Sequence, residues 1–206
     1  LLIEVTDLCN LKCKYCGYGE FYSNYDQRET HNQTFANVKI LIDYLAELWH
    51  SDYNTSHNNS VIIGFYGGEP LLNMKLIKET IAYVESLSLN NLNFKYNMTT
   101  NAMLLDRYID FLVQKDFTLL ISLDGNEYQS GYRVDKNGNS SFKQVTKNIQ
   151  IVKDSYPTFF EKNVNFNAVL HNRNSIVSCL HSIYDIFGKK PIISELNTNG
   201  IIPERI

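Results

Sequence analysis

Cysteine is scarce in this sequence, and its scarcity excludes one class of fold. Only four of the 206 residues are cysteine, which is too few for the disulfide-rich scaffold of a small secreted protein. Three of them, Cys9, Cys13 and Cys16, are bunched, and Cys179 lies far along the chain. Bunched thiols favour a metal or cluster site in a reducing compartment, so we expect a cytoplasmic protein.

Long hydrophobic runs and clusters of basic residues are also absent. No apolar stretch approaches the roughly 20 residues of a membrane span, and no signal peptide is visible. The net charge is -3, and Lys and Arg are dispersed, so nothing indicates a nucleic acid or a membrane as partner. The chain begins on an apolar segment without Met, which leaves room for a removed N-terminal segment.

What the sequence does contain is a regular alternation of apolar strands and amphipathic helices. Apolar runs predict six strands, at 1–6, 61–66, 94–99, 117–123, 163–170 and 191–196. Helical periodicity predicts five helices, at 34–50, 73–89, 104–115, 141–154 and 174–187, and Thr34 can cap the first. This order is typical of a parallel α/β sheet, either a partial barrel or an open doubly wound sheet.

Polar and glycine-rich motifs follow the ends of these predicted strands. The cysteines come after the first strand, Gly-Gly-Glu-Pro (67–70) after the second, Thr-Thr-Asn (99–101) at the end of the third, and Ser-Leu-Asp-Gly (122–125) at the end of the fourth. Parallel α/β folds bind ligands at the carboxyl ends of their strands. We therefore expect all four motifs at one rim of the sheet.

The three bunched cysteines are one ligand short of a closed metal site. Structural zinc sites and iron–sulfur cubanes usually take four protein ligands. His31 could close a zinc site, or the thiols could be unrelated to any metal. A cubane held by three cysteines would instead leave one iron open to a substrate. On the cysteines alone, these hypotheses stay open.

The motifs together resemble the radical S-adenosylmethionine (SAM) enzymes. CNLKCKYC resembles their C-x3-C-x2-C signature, and GGEPLL, TTNAMLL and ISLDG are similar to the motifs of their second, third and fourth strands. YRVDKNGNSSF (132–142) resembles the branch of SPASM or twitch peptide maturases and anaerobic sulfatase-maturing enzymes. The resemblance covers about residues 2–200. It implies a partial (β/α)6 TIM-like barrel without its final helix, so we expect 1–206 to be a truncated core domain without an auxiliary-cluster domain.

This resemblance implies both cofactors and an activity. A [4Fe-4S] cluster would bind SAM at its open iron, and reductive cleavage would give a 5′-deoxyadenosyl radical. The substrate would be a peptide or protein side chain, such as a ribosomal precursor peptide or a sulfatase. A flavodoxin or ferredoxin would supply low-potential electrons. The alternatives are a small molecule or cofactor precursor as substrate, and a non-catalytic zinc-binding barrel.

The family motifs assign roles to individual positions of this sequence. The catalytic cluster ligands would be Cys9, Cys13 and Cys16. The expected SAM-binding residues are Tyr15, Gly67, Gly68, Glu69, Ser122, Asp124, Arg133 and Val169. The Gly-Gly-Glu segment would receive the methionyl amino group.

The remaining assignments concern the other parts of SAM. Ser122 would reach the ribose, with Asp124 as a second contact, and Arg133 would pair with the carboxylate. Tyr15 and Val169, the latter with its neighbour Leu170, would flank adenine. Each has a plainer alternative: an ordinary strand-to-helix turn for Gly-Gly-Glu-Pro, caps for the Ser and Asp, a solvated charge for the Arg, and core packing for the Val.

Other conspicuous residues receive no catalytic role. Cys179 lies in an apolar helix and is expected to be a core residue. The five histidines form no spaced set. The aromatic segment 21–25 could cover the cluster, contact substrate or lie on the surface.

Overall fold

Six parallel strands form one sheet in which the spatial order is the same as the order along the chain. This computed structural model describes residues 1–22, 30–51, 59–87, 89 and 92–205. The strands are β1 (Leu2–Thr6), β2 (Ser60–Gly67), β3 (Asn93–Thr100), β4 (Thr118–Ser122), β5 (Val164–Leu170) and β6 (Ile192–Glu195). Within the described ranges β1 and β6 do not pair. The sheet is therefore open along one side, which confirms the predicted partial barrel.

The described residues contain six α-helices, one more than the sequence predicted. They are α1 (Phe35–His50), α2 (Met74–Ser86), α3 (Leu105–Gln114), α4 (Phe142–Ser155), α5 (Pro157–Asn163) and α6 (Ile176–Phe187). Thr34 caps α1 by accepting a hydrogen bond from the Asn37 amide, as predicted. The additional helix is α5, which begins with Pro157 in its first turn. Its seven residues are too few to show a helical period, so the sequence prediction missed it.

The helices cover the outer face of the sheet and bury one continuous core. Alternate strand residues such as Val5, Ile63, Met98 and Ile121 are almost fully buried against them, as the two-residue period of a strand requires. The opposite strand residues face the inside of the partial barrel. Among the described residues, no helix is both long and apolar enough to span a bilayer.

The end of β1 departs from regular pairing, and this departure starts the cysteine loop. The register between β1 and β2 shifts between Glu4 and Thr6, so that Thr6 stands opposite Gly67. The Thr6 hydroxyl then accepts a hydrogen bond from the Leu8 amide at 3.1 Å. The irregularity turns the chain over the carboxyl end of the sheet, where the three cysteines follow.

Candidate functional site

The cysteine loop is held by a distant segment of the chain. The Lys12 amide donates to the Val134 carbonyl at 2.7 Å, and the Lys14 amide donates to the Tyr132 carbonyl at 3.0 Å. Leu11 also forms an antiparallel bridge with Asp135. The backbone of segment 132–135 thus holds the cysteine loop in its shape.

Gly19 allows the loop to close on itself. Its amide donates to the Cys16 carbonyl at 2.6 Å. A β-carbon at this position would lie 2.4 Å from the Lys14 carbonyl oxygen and 2.5 Å from that of Cys13. Phe21 and Tyr22, just beyond, are buried beside Tyr132, so these two do not lie on the surface. Residues 23–25 of the aromatic segment lie outside the described residues.

A cavity of about 480 Å³ opens at the carboxyl ends of the strands. Ten of the eleven residues predicted for the site line it: Cys9, Cys13, Tyr15, Cys16, Gly67, Gly68, Glu69, Ser122, Arg133 and Val169. The parallel topology therefore brings motifs from four separate strand ends to one space. Asp124 is the exception, because its side chain has no exposed surface and lies behind the wall.

The two glycines of the second motif pack against the backbone of the cysteine loop. Gly67 has φ of +133°, and a β-carbon there would lie 2.1 Å from the Thr6 carbonyl oxygen. A β-carbon on Gly68 would lie 2.1 Å from the Leu8 carbonyl oxygen. The two glycines thus permit close approach of the protein's own backbone. The amides of Gly68 and Glu69 donate to the Thr6 and Leu8 carbonyls at 2.7 and 2.8 Å.

Glu69 has a buried carboxylate that already accepts three hydrogen bonds. One oxygen accepts from the Leu71 amide at 3.1 Å and from the Thr100 hydroxyl at 2.7 Å. The other accepts from the Asn101 amide at 2.7 Å. Burial raises the pKa of Glu69 to about 7, although these hydrogen bonds oppose the rise. Glu69 thus ties the ends of β2 and β3 together while its side chain lines the cavity.

The raised pKa of Glu69 predicts a pH-dependent stability of the metal-free protein. The pKa rises from 4.5 to about 7 on folding, so the native state binds this proton more tightly than the unfolded chain. The contribution to stability is complete below pH 4.5 and is lost as the pH rises through 7. The loss over this window is expected to be about 3 kcal/mol.

Urea denaturation of wild type and Glu69→Gln between pH 4.5 and 8 measures this contribution. The variant is expected to be less stable, because its amide N–H groups would face the Asn101 amide donor. Its free energy of unfolding should nevertheless change less with pH than that of the wild type. Equal pH dependence in the two proteins would contradict the assignment.

Asp124 and Arg133 form a buried ion pair behind the cavity. Arg133 donates from Nε to Oδ2 at 2.9 Å and from Nη2 to Oδ1 at 2.8 Å. Burial alone would raise the pKa of Asp124, but the Arg133 charge and the hydrogen bonds lower it to about 2. The Asp124 carboxylate, expected as a second ribose contact, therefore lies behind the cavity wall. Arg133 is only 7% exposed, which excludes the alternative of a solvated charge.

Tyr15 connects the cysteine loop to this ion pair. Its hydroxyl donates to Asp124 Oδ2 at 2.5 Å, and its ring stacks on His171 at 5.6 Å between centroids. The His171 Nε2 atom lies 3.6 Å from Asp124 Oδ2. Sequence reasoning gave His171 no role, although it directly follows β5, and the position after a strand end was the available signal.

The arrangement of the three cysteines does not match a closed binding site for a single metal ion. Burial raises the pKa of Cys13 to about 12 despite the opposing charge of Arg133, so this thiol stays protonated unless a metal cation replaces the proton. Among the described residues, no group of three His, Cys, Asp or Glu side chains is placed to hold one metal ion. A cubane has a different requirement, since each thiolate binds its own iron. His31 is exposed and does not line the cavity.

Sequence reasoning also missed several residues of the cavity wall. The inward faces of β1, β2 and β5 contribute Glu4, Tyr66 and Asn167. Asn101, expected only at the rim, donates from Nδ2 to Cys9 Sγ at 3.6 Å and to Asn10 Oδ1 at 2.8 Å. The strand period could have identified the inward-facing residues, but not the depth to which the cavity extends.

Comparison with known families decides what kind of site this is. Residues 3–175 match the family described as the radical SAM superfamily. The chain belongs to the radical SAM superfamily. Membership of this superfamily implies SAM and an iron–sulfur cluster as cofactors.

Curated relatives of this radical SAM chain are longer proteins. An uncharacterized protein of Methanocaldococcus jannaschii is 34% identical over 154 residues, which is 74% of this chain and 48% of the relative. A cysteine-type anaerobic sulfatase-maturating enzyme of Clostridium novyi is 30% identical over 74% of this chain and 39% of its own length. The chain therefore spans less than half the length of these relatives.

Solved structures with the same fold include one named native anSMEcpe with bound AdoMet, that is, with SAM. It has a TM-score of 0.74 at 18% identity, covering 99% of this radical SAM chain and 56% of the neighbour. A second structure of that protein, with AdoMet and the Kp18Cys peptide, has a TM-score of 0.72 at 19% identity. At this level of identity the likeness establishes the partial-barrel fold.

Proposed function

We propose that the chain is the core domain of an enzyme that cleaves SAM reductively at a [4Fe-4S] cluster and modifies a peptide or protein side chain. One observation carries the proposal. Three cysteines on one loop share a single cavity with an acidic group, Glu69, and a basic group, Arg133. SAM needs that combination, because it presents an ammonium, a carboxylate and a sulfonium close together.

The described residues fit a cluster held by three thiolates. Cys9, Cys13 and Cys16 would hold it, leaving one iron without a protein ligand. Cys13, a thiol of raised pKa in the metal-free protein, would give up its proton when iron binds, because a metal ion favours the thiolate. When bound, the cluster and SAM would supply a 5′-deoxyadenosyl radical that abstracts a hydrogen atom from the substrate.

The other cavity residues would orient SAM and keep water out. Glu69 and the backbone at Gly67 and Gly68 would receive the methionyl ammonium. Nη1 of Arg133 takes part in neither hydrogen bond to Asp124, so it could donate to the SAM carboxylate. Ser122 lies at the wall where a ribose hydroxyl could bind.

The adenine end would meet the less polar part of the wall. Tyr15 and Val169 both line the cavity, and the Tyr15 ring is fixed from behind by His171. A flat, apolar surface of this kind suits a purine ring. The cavity volume of about 480 Å³ lies in the usual range of small-molecule sites, about 300–1,000 Å³.

A peptide or protein substrate is favoured by the relatives. One curated relative is a sulfatase-maturating enzyme, and one structural neighbour contains a peptide. The segment 132–142, which resembles the peptide-modifying branch, also contains the residues 132–135 that hold the cysteine loop. We further propose a low-potential donor, such as flavodoxin or ferredoxin, as the electron source in the cytoplasm.

The experiment is anaerobic reconstitution with iron and sulfide, followed by reduction in the presence of SAM. We expect 5′-deoxyadenosine and methionine in equal amounts, measured by liquid chromatography. A synthetic sulfatase-type peptide containing cysteine is expected to raise the rate and to gain a mass change. A protein that binds zinc, shows no cubane spectrum and leaves SAM intact would contradict the proposal. SAM cleavage that no peptide stimulates would favour a small-molecule substrate.

A further inference from the structure

Asp124 lies where three separate parts of the site meet. Its carboxylate is fully buried and accepts the Tyr15 hydroxyl of the cysteine loop at 2.5 Å. It also accepts two hydrogen bonds from Arg133 and one from the Val169 amide of β5 at 3.0 Å. Each of its oxygens therefore accepts two hydrogen bonds, and the three donors are residues that line the cavity.

We propose that Asp124 is a positioning residue, whose carboxylate holds the cysteine loop, Arg133 and strand β5 in one fixed arrangement around the cavity. This inference rests on the proposed function, because it gives Asp124 the task of aligning the cluster-binding loop with the SAM-binding arginine. Asp124 would touch neither the cluster nor SAM. It would act through Tyr15, which directly precedes Cys16, and through Arg133.

The chemistry of the group supports this role. Only a carboxylate offers two equivalent acceptor oxygens to the planar fork of a guanidinium, and such a pair fixes direction as well as distance. Two nitrogens of Arg133 are directed at Asp124, so the remaining Nη1 edge has a set orientation. The Tyr15 ring lies 5.3 Å from the Arg133 guanidinium carbon, so a shift of either side chain would move the other.

The backbone behind Asp124 is fixed as well. Its carbonyl oxygen accepts hydrogen bonds from Cys179 Sγ at 3.3 Å and from Asn174 Nδ2 at 3.5 Å. Cys179 is fully buried in the core on α6. The backbone of Asp124 is thus held by hydrogen bonds that do not involve the cavity residues. A positioning group requires such independent support.

A double-mutant cycle tests the proposal on the reconstituted protein. Asp124→Asn keeps the size but leaves a single acceptor oxygen, and we expect SAM affinity to fall about 10- to 100-fold, as for other groups that support a metal site indirectly. In an Arg133→Met background the same change is expected to weaken SAM binding less than about threefold, because the group that is positioned is gone. Equilibrium dialysis with SAM measures all four proteins.

A second measurement needs neither cluster nor SAM. Tyr15→Phe removes only the hydroxyl that reaches Asp124, so the fold is expected to persist. Hydrogen–deuterium exchange of the metal-free protein should then become about tenfold faster at the Lys12 and Lys14 amides. Amides of the sheet interior, such as Met98, should be unchanged. Tyr156→Phe is the matched control and should leave the exchange of both amides unchanged, because it removes a tyrosine hydroxyl that donates to Asp110 at 2.7 Å on the surface.

The outcomes separate this inference from the proposed function. Additive effects of the two substitutions on SAM affinity, or wild-type affinity in Asp124→Asn, would overturn the positioning role. So would unchanged loop exchange in Tyr15→Phe, including the case in which Asp124→Asn does not fold. A wild-type protein that binds no SAM would refute the proposed function, while the exchange measurement would still decide whether Asp124 orders the cysteine loop.

Discussion

Cys13→Ala is expected to abolish cluster binding and SAM cleavage. Cys13 lies at the cavity wall, between two other thiols of the same loop. Removing one of three cluster ligands should cost more than about 100-fold in activity, since even indirect partners of a metal site cost 10- to 100-fold. Iron content after reconstitution and the yield of 5′-deoxyadenosine are the two measurements.

The chain offers a matched control for this experiment in Cys179. It is a free thiol like Cys13, but it is fully buried in α6. Cys179→Ala removes the same atom from the core and should leave the iron content at the wild-type level. If Cys13→Ala kept the iron content of the wild type, the three-cysteine site would be wrong.

Gly68→Ala is expected to be the most damaging change outside the cysteines. The new β-carbon would lie 2.1 Å from the Leu8 carbonyl oxygen and 2.5 Å from that of Asp7. Both contacts are backbone atoms, so no side chain can rotate away, and the start of the cysteine loop must move. We expect a loss of about 3 kcal/mol in the free energy of unfolding, together with poor retention of iron.

Gly200→Ala is the control for the methyl group itself. Gly200 has a positive φ of +76°, which Gly68 does not have, and a β-carbon on Gly200 would meet nothing within 4 Å. Its cost should be limited to backbone strain, about 1–2 kcal/mol, with iron content unchanged. Urea denaturation and iron analysis compare the two variants. Equal stability and equal iron in both would show that the contact between Gly68 and Leu8 does not shape the site.

The location of the site could be predicted from the sequence, because topology determines it. Parallel strands all end at one edge, so motifs after Thr6, Tyr66, Thr100 and Ser122 had to meet there. The strands are recognised from the local pattern of apolar residues, so no contact between distant residues has to be known. The alternation of strands and helices predicted a parallel α/β sheet, but the choice of a partial barrel over an open doubly wound sheet came from the family resemblance.

The orientation of individual charged groups could not be predicted in the same way. Asp124 and Glu69 are both carboxylates after strand ends, yet one is turned away from the cavity and the other lines it. The difference arises from hydrogen-bond partners outside each motif. Arg133 and Tyr15 donate to Asp124, and Thr100 and Asn101 donate to Glu69. A motif records residue types, whereas the direction of a side chain depends on which donors the fold brings to it.

The pairing of the cysteine loop with segment 132–135 has a consequence for how the protein is made. Residues 9–16 are synthesised before the segment whose carbonyls shape them, because that segment lies more than 100 positions later in the chain. The Lys12 and Lys14 amides therefore have no partners until Tyr132 and Val134 have emerged. The cysteine loop can therefore close only after more than 100 further residues have been made, and iron–sulfur assembly on its thiols either waits for that closure or prompts it.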